Sequence, residues 1–277
     1  MRIVFAVVTV CFCSIVHSQY YYNDIVANTL SNQQFKLLKQ ARVKTIKAIS
    51  YEPSGEVTQG FSIEQEVSPD FRKTVTNTAL QEGTKSTLTV TYENTRVKKS
   101  VDVNHKVETT NTFTYNDKGL PTTISSNTSD TAVQINSSEV HIWTYNANNI
   151  PESLLKIKNK VDTTFIEFVY DEKGNIGEEH WKRKDKIFET YYYYYNNKNQ
   201  VTDIVRFNTR AKQMLPDFLY EYDDKGRINK MTQVTNGGGN YLVWTYTYNE
   251  KGLKESEVCY NKQKQLIGKI EYGYLYQ

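Results

Sequence analysis

Tyr222-Asp223-Asp224-Lys225-Gly226-Arg227-Ile228 is the stretch that decides how this chain folds. An Asp directly after the Tyr can bond backbone amides just ahead of it and so cap a turn. Gly226, four residues after the Tyr, takes the positive φ that such a turn needs at its close. Together they read as a type I turn ending on a left-handed residue, the usual short hairpin with a bulge. Working outward, the same pattern begins at Tyr115, Tyr145, Tyr170, Tyr195 and Tyr248. The steps between successive copies are 30, 25, 25, 27 and 26 residues, and a further step of 26 reaches Tyr274. Asn or Asp follows the Tyr in all six copies, and the fourth position is Gly119, Asn149, Gly174, Asn199, Gly226 or Gly252. Asn replaces Gly there without loss of sense, because it also tolerates positive φ. Weaker copies start at Tyr51 and Tyr92; the latter places Arg96 at the fourth position, so its turn must differ.

The flanks alternate as half-buried strands do. Leu242, Trp244, Tyr246 and Tyr248 fall on one face, as do Ile166, Phe168 and Tyr170, and Ile270, Tyr272, Tyr274 and Tyr276. A period near 26 holds two strands and two turns, so the unit is a β-hairpin, repeated. Tyr-Asp-x-x-Gly-Arg-Ile, with the Tyr-x-Tyr lead-in of Tyr220 and Tyr222, resembles the YD-repeat (Rhs-type) proteins and small secreted repeat proteins of Bacteroidetes. The resemblance is clear over about residues 110–277 and faint over 50–110. It implies hairpins paired into a long, curling antiparallel strip, which in large toxins and teneurins closes into a shell. With about seven or eight units and no appended toxin domain, the expected architecture here is all-β, an open twisted or curled sheet of antiparallel hairpins. Residues 51–277 are expected to form that sheet.

Ahead of it, residues 19–50 read as a cap segment. Ser31-Asn32-Gln33-Gln34 resembles a capping box before Phe35, Leu37, Leu38 and Ala41, predicting a short helix over about 31–42. The expectation is that this helix covers the first sheet edge, since open edges invite aggregation. Residues 1–18 read as a secretory signal: Arg2, then the apolar stretch Ile3–Val16, then a cut before Gln19. That stretch is shorter than the ~20 residues needed to span a bilayer as a helix. The address is therefore export, to the periplasm, cell surface or exterior. Cys11 and Cys13 lie in the leader and lack the small residue of a lipid-attachment box, which leaves Cys259 as the one cysteine beyond it. A single cysteine makes no internal disulfide, and a packed strand residue is its expected role.

Lys plus Arg total 34 against 31 Asp plus Glu, a net charge of only +3 with no concentrated basic stripe, which argues against nucleic-acid binding. No nucleophile elbow, phosphate-binding glycine loop or zinc signature is present. Gly237-Gly238-Gly239 reads as a hairpin end, and the acidic residues of the turns read as caps rather than calcium ligands. Glu178 and His180 would share a strand face, the one tight acid–histidine cluster, and a solvated face explains it. The sequence thus points away from an enzyme, with no cofactor and no metal. Asn127-Thr128-Ser129 and Asn136-Ser137-Ser138 match a glycosylation pattern.

Tyr191 to Tyr195 is the most conspicuous run. Alternation places Tyr191, Tyr193 and Tyr195 together, and with Trp244 and Tyr246 they are the candidate binding residues. Cross-strand ladders that merely hold the sheet are the plain reading of the same pattern. Two functions follow: an envelope protein offering a tyrosine-rich surface to a protein or glycan, or a periplasmic carrier holding a lipid or other apolar ligand in a curled sheet.

Overall fold

The computed structural model describes residues 20–80, 83–208, 211–234 and 239–277. The leader, with Cys11 and Cys13, and most of the Gly237–Gly239 run lie outside the described residues. A π-helical segment, Tyr21–Val26, runs directly into α1 (Ala27–Gln40). Eighteen strands follow. The first six are β1 (Val43–Tyr51), β2 (Ser62–Val67), β3 (Lys73–Ala79), β4 (Lys85–Glu93), β5 (Arg96–Asn104) and β6 (Val107–Tyr115). Next come β7 (Pro121–Asp130), β8 (Ile135–Tyr145), β9 (Pro151–Lys158), β10 (Asp162–Tyr170), β11 (Ile176–Arg183) and β12 (Lys186–Tyr195). The last six are β13 (Val201–Asn208), β14 (Gln213–Tyr222), β15 (Ile228–Val234), β16 (Tyr241–Tyr248), β17 (Lys254–Asn261) and β18 (Leu266–Tyr276).

Each strand pairs antiparallel with its neighbours in sequence, and β1 pairs with both β2 and β18. Val43 lies opposite Tyr276 and Tyr51 opposite Lys269, and the Gln277 N–H donates to the Arg42 carbonyl at 2.7 Å. The sheet is therefore a closed barrel, and the open curled sheet expected from the sequence is corrected. Closure satisfies the two strand edges that an open strip would leave bare. The helix is corrected too. It starts earlier than residue 31, Ser31 is buried in its interior rather than capping it, and it lies inside the barrel, not over an edge.

One end of the barrel, the turn end, carries the repeated turns. Asn116, Asn146, Asn196 and Asn249 each accept, through Oδ1, the backbone N–H groups two and four residues on. Asp171 does the same with Lys173 and Asn175, and Asp223 accepts from Arg227. Gly119, Asn149, Gly174, Asn199, Gly226 and Gly252 all take positive φ, between 56° and 82°. The register slips by one residue at each of the six tyrosines, which is the bulge. The Tyr92 unit instead closes through Asn94 and Thr95, both at positive φ, a two-residue hairpin turn.

Replacing Gly226 by Val forces a β-branched residue to φ +78° beside the Gln200 amide. The expected loss is about 1–2 kcal/mol, measured by thermal or denaturant unfolding. An unchanged midpoint would count against the turn.

The tyrosine that begins each turn has its own task. The hydroxyls of Tyr115, Tyr145, Tyr195, Tyr222, Tyr248 and Tyr274 donate to the carbonyls of Val97, Pro121, Ile176, Val201, Ile228 and Lys254, at 2.6–2.8 Å. Each clasps the turn-end mouth of the two strands that its own strand and the preceding one form. Tyr170 is the exception, its hydroxyl buried without a partner. Each clasp contributes on the order of 1 kcal/mol.

Candidate functional site: the helix in the lumen

An 18-stranded barrel encloses a lumen wide enough for a channel, and something must fill it or water will. Here the N-terminal helical segment crosses it. Tyr20 and Ile25 pack with Trp143, Phe168, Trp181, Tyr191 and Tyr193 on one wall. Phe35 and Leu38 pack with Val43, Ile46, Val67 and Leu253 on the other, and Phe35 stacks on Tyr92. Successive helical residues point about 100° apart, so neighbours face different directions. Even so, Tyr20 stacks on Trp181 at 4.7 Å, Tyr21 meets Tyr193 at 5.3 Å and Tyr22 stacks on Tyr220 at 5.5 Å. The three partners, on β11, β12 and β14, belong to the same stretch of wall, which the three rings meet in succession. Asn32 adds a polar tether, accepting the Val97 backbone N–H at 3.0 Å, and Asn28 donates to the Tyr115 hydroxyl.

Two buried ionic groups lie where the segment enters. The first joins Asp24 of the π-helical segment to His141 of β8 at 2.6 Å. The other ring nitrogen of His141 bonds Glu139 at 2.9 Å, Glu139 pairs with Lys156, and the Trp143 indole donates to Asp24. With a carboxylate on each nitrogen, both must carry protons, so the ring is an imidazolium. Burial alone would lower the His141 pKa. The negative charge of Asp24 and the bonds from Asp24 and Glu139 outweigh it and raise the value to about 10. Lys156 closes the group from above, its amine 4.2 Å from the Tyr20 ring centre. Burial and the nearby Lys158 lower its pKa to about 8.

The second group is Glu179 on β11, fully buried. It accepts from the Tyr193 hydroxyl at 2.6 Å, the Trp181 indole at 2.8 Å and the Tyr21 backbone at 3.3 Å. None of these donors is cationic, and burial raises its pKa to about 7 despite them.

Three of the candidate binding residues, Tyr191, Tyr193 and Tyr195, belong to this site. Tyr191, Tyr193 and Trp244 are buried, and Tyr195 and Tyr246 are half-buried; all five point into the lumen. Tyr191, Tyr193 and Tyr195 belong to the cluster that packs on the helical segment, Tyr195 also clasps the barrel mouth, and none of the five forms a platform on the outer surface. Of the same run, Tyr192 and Tyr194 point outward, and Tyr194 is exposed. Glu178 and His180 are hydrogen-bonded to each other on the outer wall. Among the described residues no three His, Cys, Asp or Glu side chains group as a metal site would need. Cys259 is buried opposite Trp244, and burial pushes its thiol up to about 12.

Sequence reasoning missed Asp24, His141 and Glu179. The signal that could have drawn attention to Asp24 is its place between Tyr20-Tyr21-Tyr22-Asn23 and Ile25-Val26, an acid within a largely apolar run.

Comparison with known proteins gives no matching family model and no matching curated protein. Among solved structures, a porin-like protein from Bacteroides uniformis aligns at 12% identity over 84% of this chain and 98% of its own, with a TM-score of 0.40. A porin-like protein from Bacteroides vulgatus aligns at 13% identity over 85% and 99%, with a TM-score of 0.30. The TcdB2–TccC3–Cdc42 complex aligns at 14% identity over 77% of this chain but 12% of its own, with a TM-score of 0.34. Likenesses this distant support no statement about activity. Among the described residues, no helix is long and apolar enough to cross a membrane, which leaves membrane-spanning strands open.

Proposed function

We propose that this chain is an exported, non-catalytic barrel of the cell envelope, closed by its own helix, that meets a protein or glycan partner with its outer surface. The observation that carries this reading is the filling of the lumen. The aromatic side chains that would line a carrier's pocket are already packed on Tyr20, Tyr21 and Tyr22. The cavity beside Phe35 measures about 70 Å³, room for a few waters. Catalysis is disfavoured for a related reason. Both nitrogens of His141 are engaged by carboxylates, which leaves none to take a proton from a nucleophile.

The outer wall supports immersion in water rather than lipid. A membrane-spanning barrel presents an outward apolar band about 25 Å tall, and a Lys at its midplane costs about 2–4 kcal/mol. Here Lys47 pairs with Glu64, Lys230 with Glu221 and Lys182 with Glu167, all on outward positions of the wall. Thr87, Thr89 and Thr91 of β4 and Thr110, Thr112 and Thr114 of β6 add further polar positions.

The expected behaviour is a monodisperse protein in detergent-free buffer that gives no conductance in planar bilayers. A protein that needs detergent and opens ion-conducting pores would overturn the reading.

A further inference from the structure

The two ends of the barrel differ in chemistry. The turn end carries Asx-capped turns and the helix; the opposite end carries the other hairpin tips. Around one arc of that opposite end, from β7 to β14, large apolar side chains stand in water. Val133 and Ile135 flank the β7–β8 tip, Val161 closes the β9–β10 tip at 81% exposure, and Ile187 follows the β11–β12 turn. Phe207 and Met214 face each other across β13 and β14 beside the next tip, both exposed. Adjacent tips are two strands apart, about 10 Å, so the arc is a row of separate apolar points rather than one continuous patch.

Lysines stand between these points: Lys158 and Lys160 beside Val161, Lys184 and Lys186 beside Ile187, and Lys212 beside Met214. None of the five is ion-paired among the described residues. The acids nearby are mostly engaged. Asp162 pairs with Arg183, Glu189 and Asp217 pair with Arg206, Glu139 pairs with His141 and Lys156, and Asp130 caps its own turn. Asp130, whose partners are uncharged backbone amides, and Asp185 remain, two acids against the five lysines. The arc thus has an excess of uncompensated positive charge around exposed apolar tips.

We propose that this end of the barrel docks on the surface of an anionic lipid bilayer, the tips entering the interface and the lysines meeting lipid phosphates. Charge complementarity selects this occupant, and so does the spacing. Separated apolar points alternating with long, snorkelling cations suit an interface that is apolar below and anionic above. A protein partner would favour a contiguous apolar centre with a polar rim. The inference rests on the reading of a water-immersed barrel, and detergent-free solubility tests that reading separately.

The test is co-sedimentation of the full chain with phosphatidylcholine vesicles containing phosphatidylglycerol, against pure phosphatidylcholine vesicles. The comparison variants are Val161→Asp with Phe207→Asp, and Lys160→Glu with Lys186→Glu. These positions are exposed, and unchanged thermal midpoints will show that both variants fold. The leader is common to all, so differences between them read the tips. Binding to the anionic vesicles should weaken with salt, and each double variant should lose roughly tenfold or more. Three results overturn the proposal: no binding to anionic vesicles, equal binding to neutral ones, or variants that bind as well as the parent. A change in oligomeric state with vesicle binding intact would instead mark the arc as a protein contact, and the proposal would fail.

Discussion

Asp24→Ala is expected to destabilise the barrel by about 3–5 kcal/mol, because it leaves a buried imidazolium without the carboxylate that holds its charge. Asp24 is 2.6 Å from His141 and also accepts from the Trp143 indole, so one substitution strips two buried donors. Glu139 bonds the other His141 nitrogen but is itself shared with Lys156, so it cannot replace Asp24. For a domain of this size, 1 kcal/mol corresponds to about 2–4 °C in Tm, so the midpoint should fall by about 10 °C, read by circular dichroism. A double variant, Asp24→Ala with His141→Leu, removes the stranded charge and should recover a large part of the loss. If the single variant melts with the parent, the ion pair does not anchor the helical segment.

The second large effect is on pH. Glu179 has a folded pKa near 7 against an ordinary 4.5, raised by burial. An acid whose folded pKa is raised stabilises the fold while it is protonated. Below about pH 4.5 both states hold the proton; above that the unfolded chain releases it and the folded chain does not. Stability therefore falls between about pH 4.5 and 7, by on the order of 3 kcal/mol for a shift of this size. His141 continues the trend. Its folded pKa near 10 exceeds the ordinary 6.5, so its contribution is complete below about 6.5 and is lost as pH rises through about 10. Both slopes have the same sign, which places maximum stability on the mildly acidic side. Denaturant unfolding at about pH 5.5 and pH 8.5 should show the higher midpoint at the lower pH. Glu179→Gln should flatten the limb below pH 7 and leave the limb above it. A parent curve that rises from pH 5 to 8 would rule out this account of both groups.

Where the chemistry is local, the sequence is transparent. Asn116, Asn146 and their counterparts cap the amides immediately ahead of them, and Gly226 and Asn149 take the positive φ their places demand. A turn is decided by four or five neighbours, so its residues can be read without the rest of the chain. The Tyr51 copy marks the edge of this transparency. Gly55 takes φ +86° as the motif requires, but the turn lies at the opposite end of the barrel and Tyr51 bonds Glu271 on the outer wall. The motif specifies a turn and leaves its place in the ring undetermined.

The alternation of Tyr191, Tyr193 and Tyr195 was equally legible as a shared face, and illegible as to what covers it. Ser31-Asn32-Gln33-Gln34 has the letters of a helix start, but Phe35 and Leu38 pack on the inner wall, as Tyr20 and Ile25 do further back, and that buried face extends the helix toward the N-terminus. The capping rule failed because the chain is already helical before Ser31, which sits on the buried face while Gln33, Gln34 and Lys36 lie on the exposed one.

By itself, then, the sequence determined the hairpin unit, its turn chemistry and the antiparallel order of the strands, since each depends on residues close together in the chain. Tertiary structure alone decided the rest. Closure depends on Val43 meeting Tyr276, and the ionic lock on Asp24 meeting His141 across 117 residues. Local patterning carries no term for either meeting: each is settled by how many twisted strands complete the ring and by what then fills the space inside it.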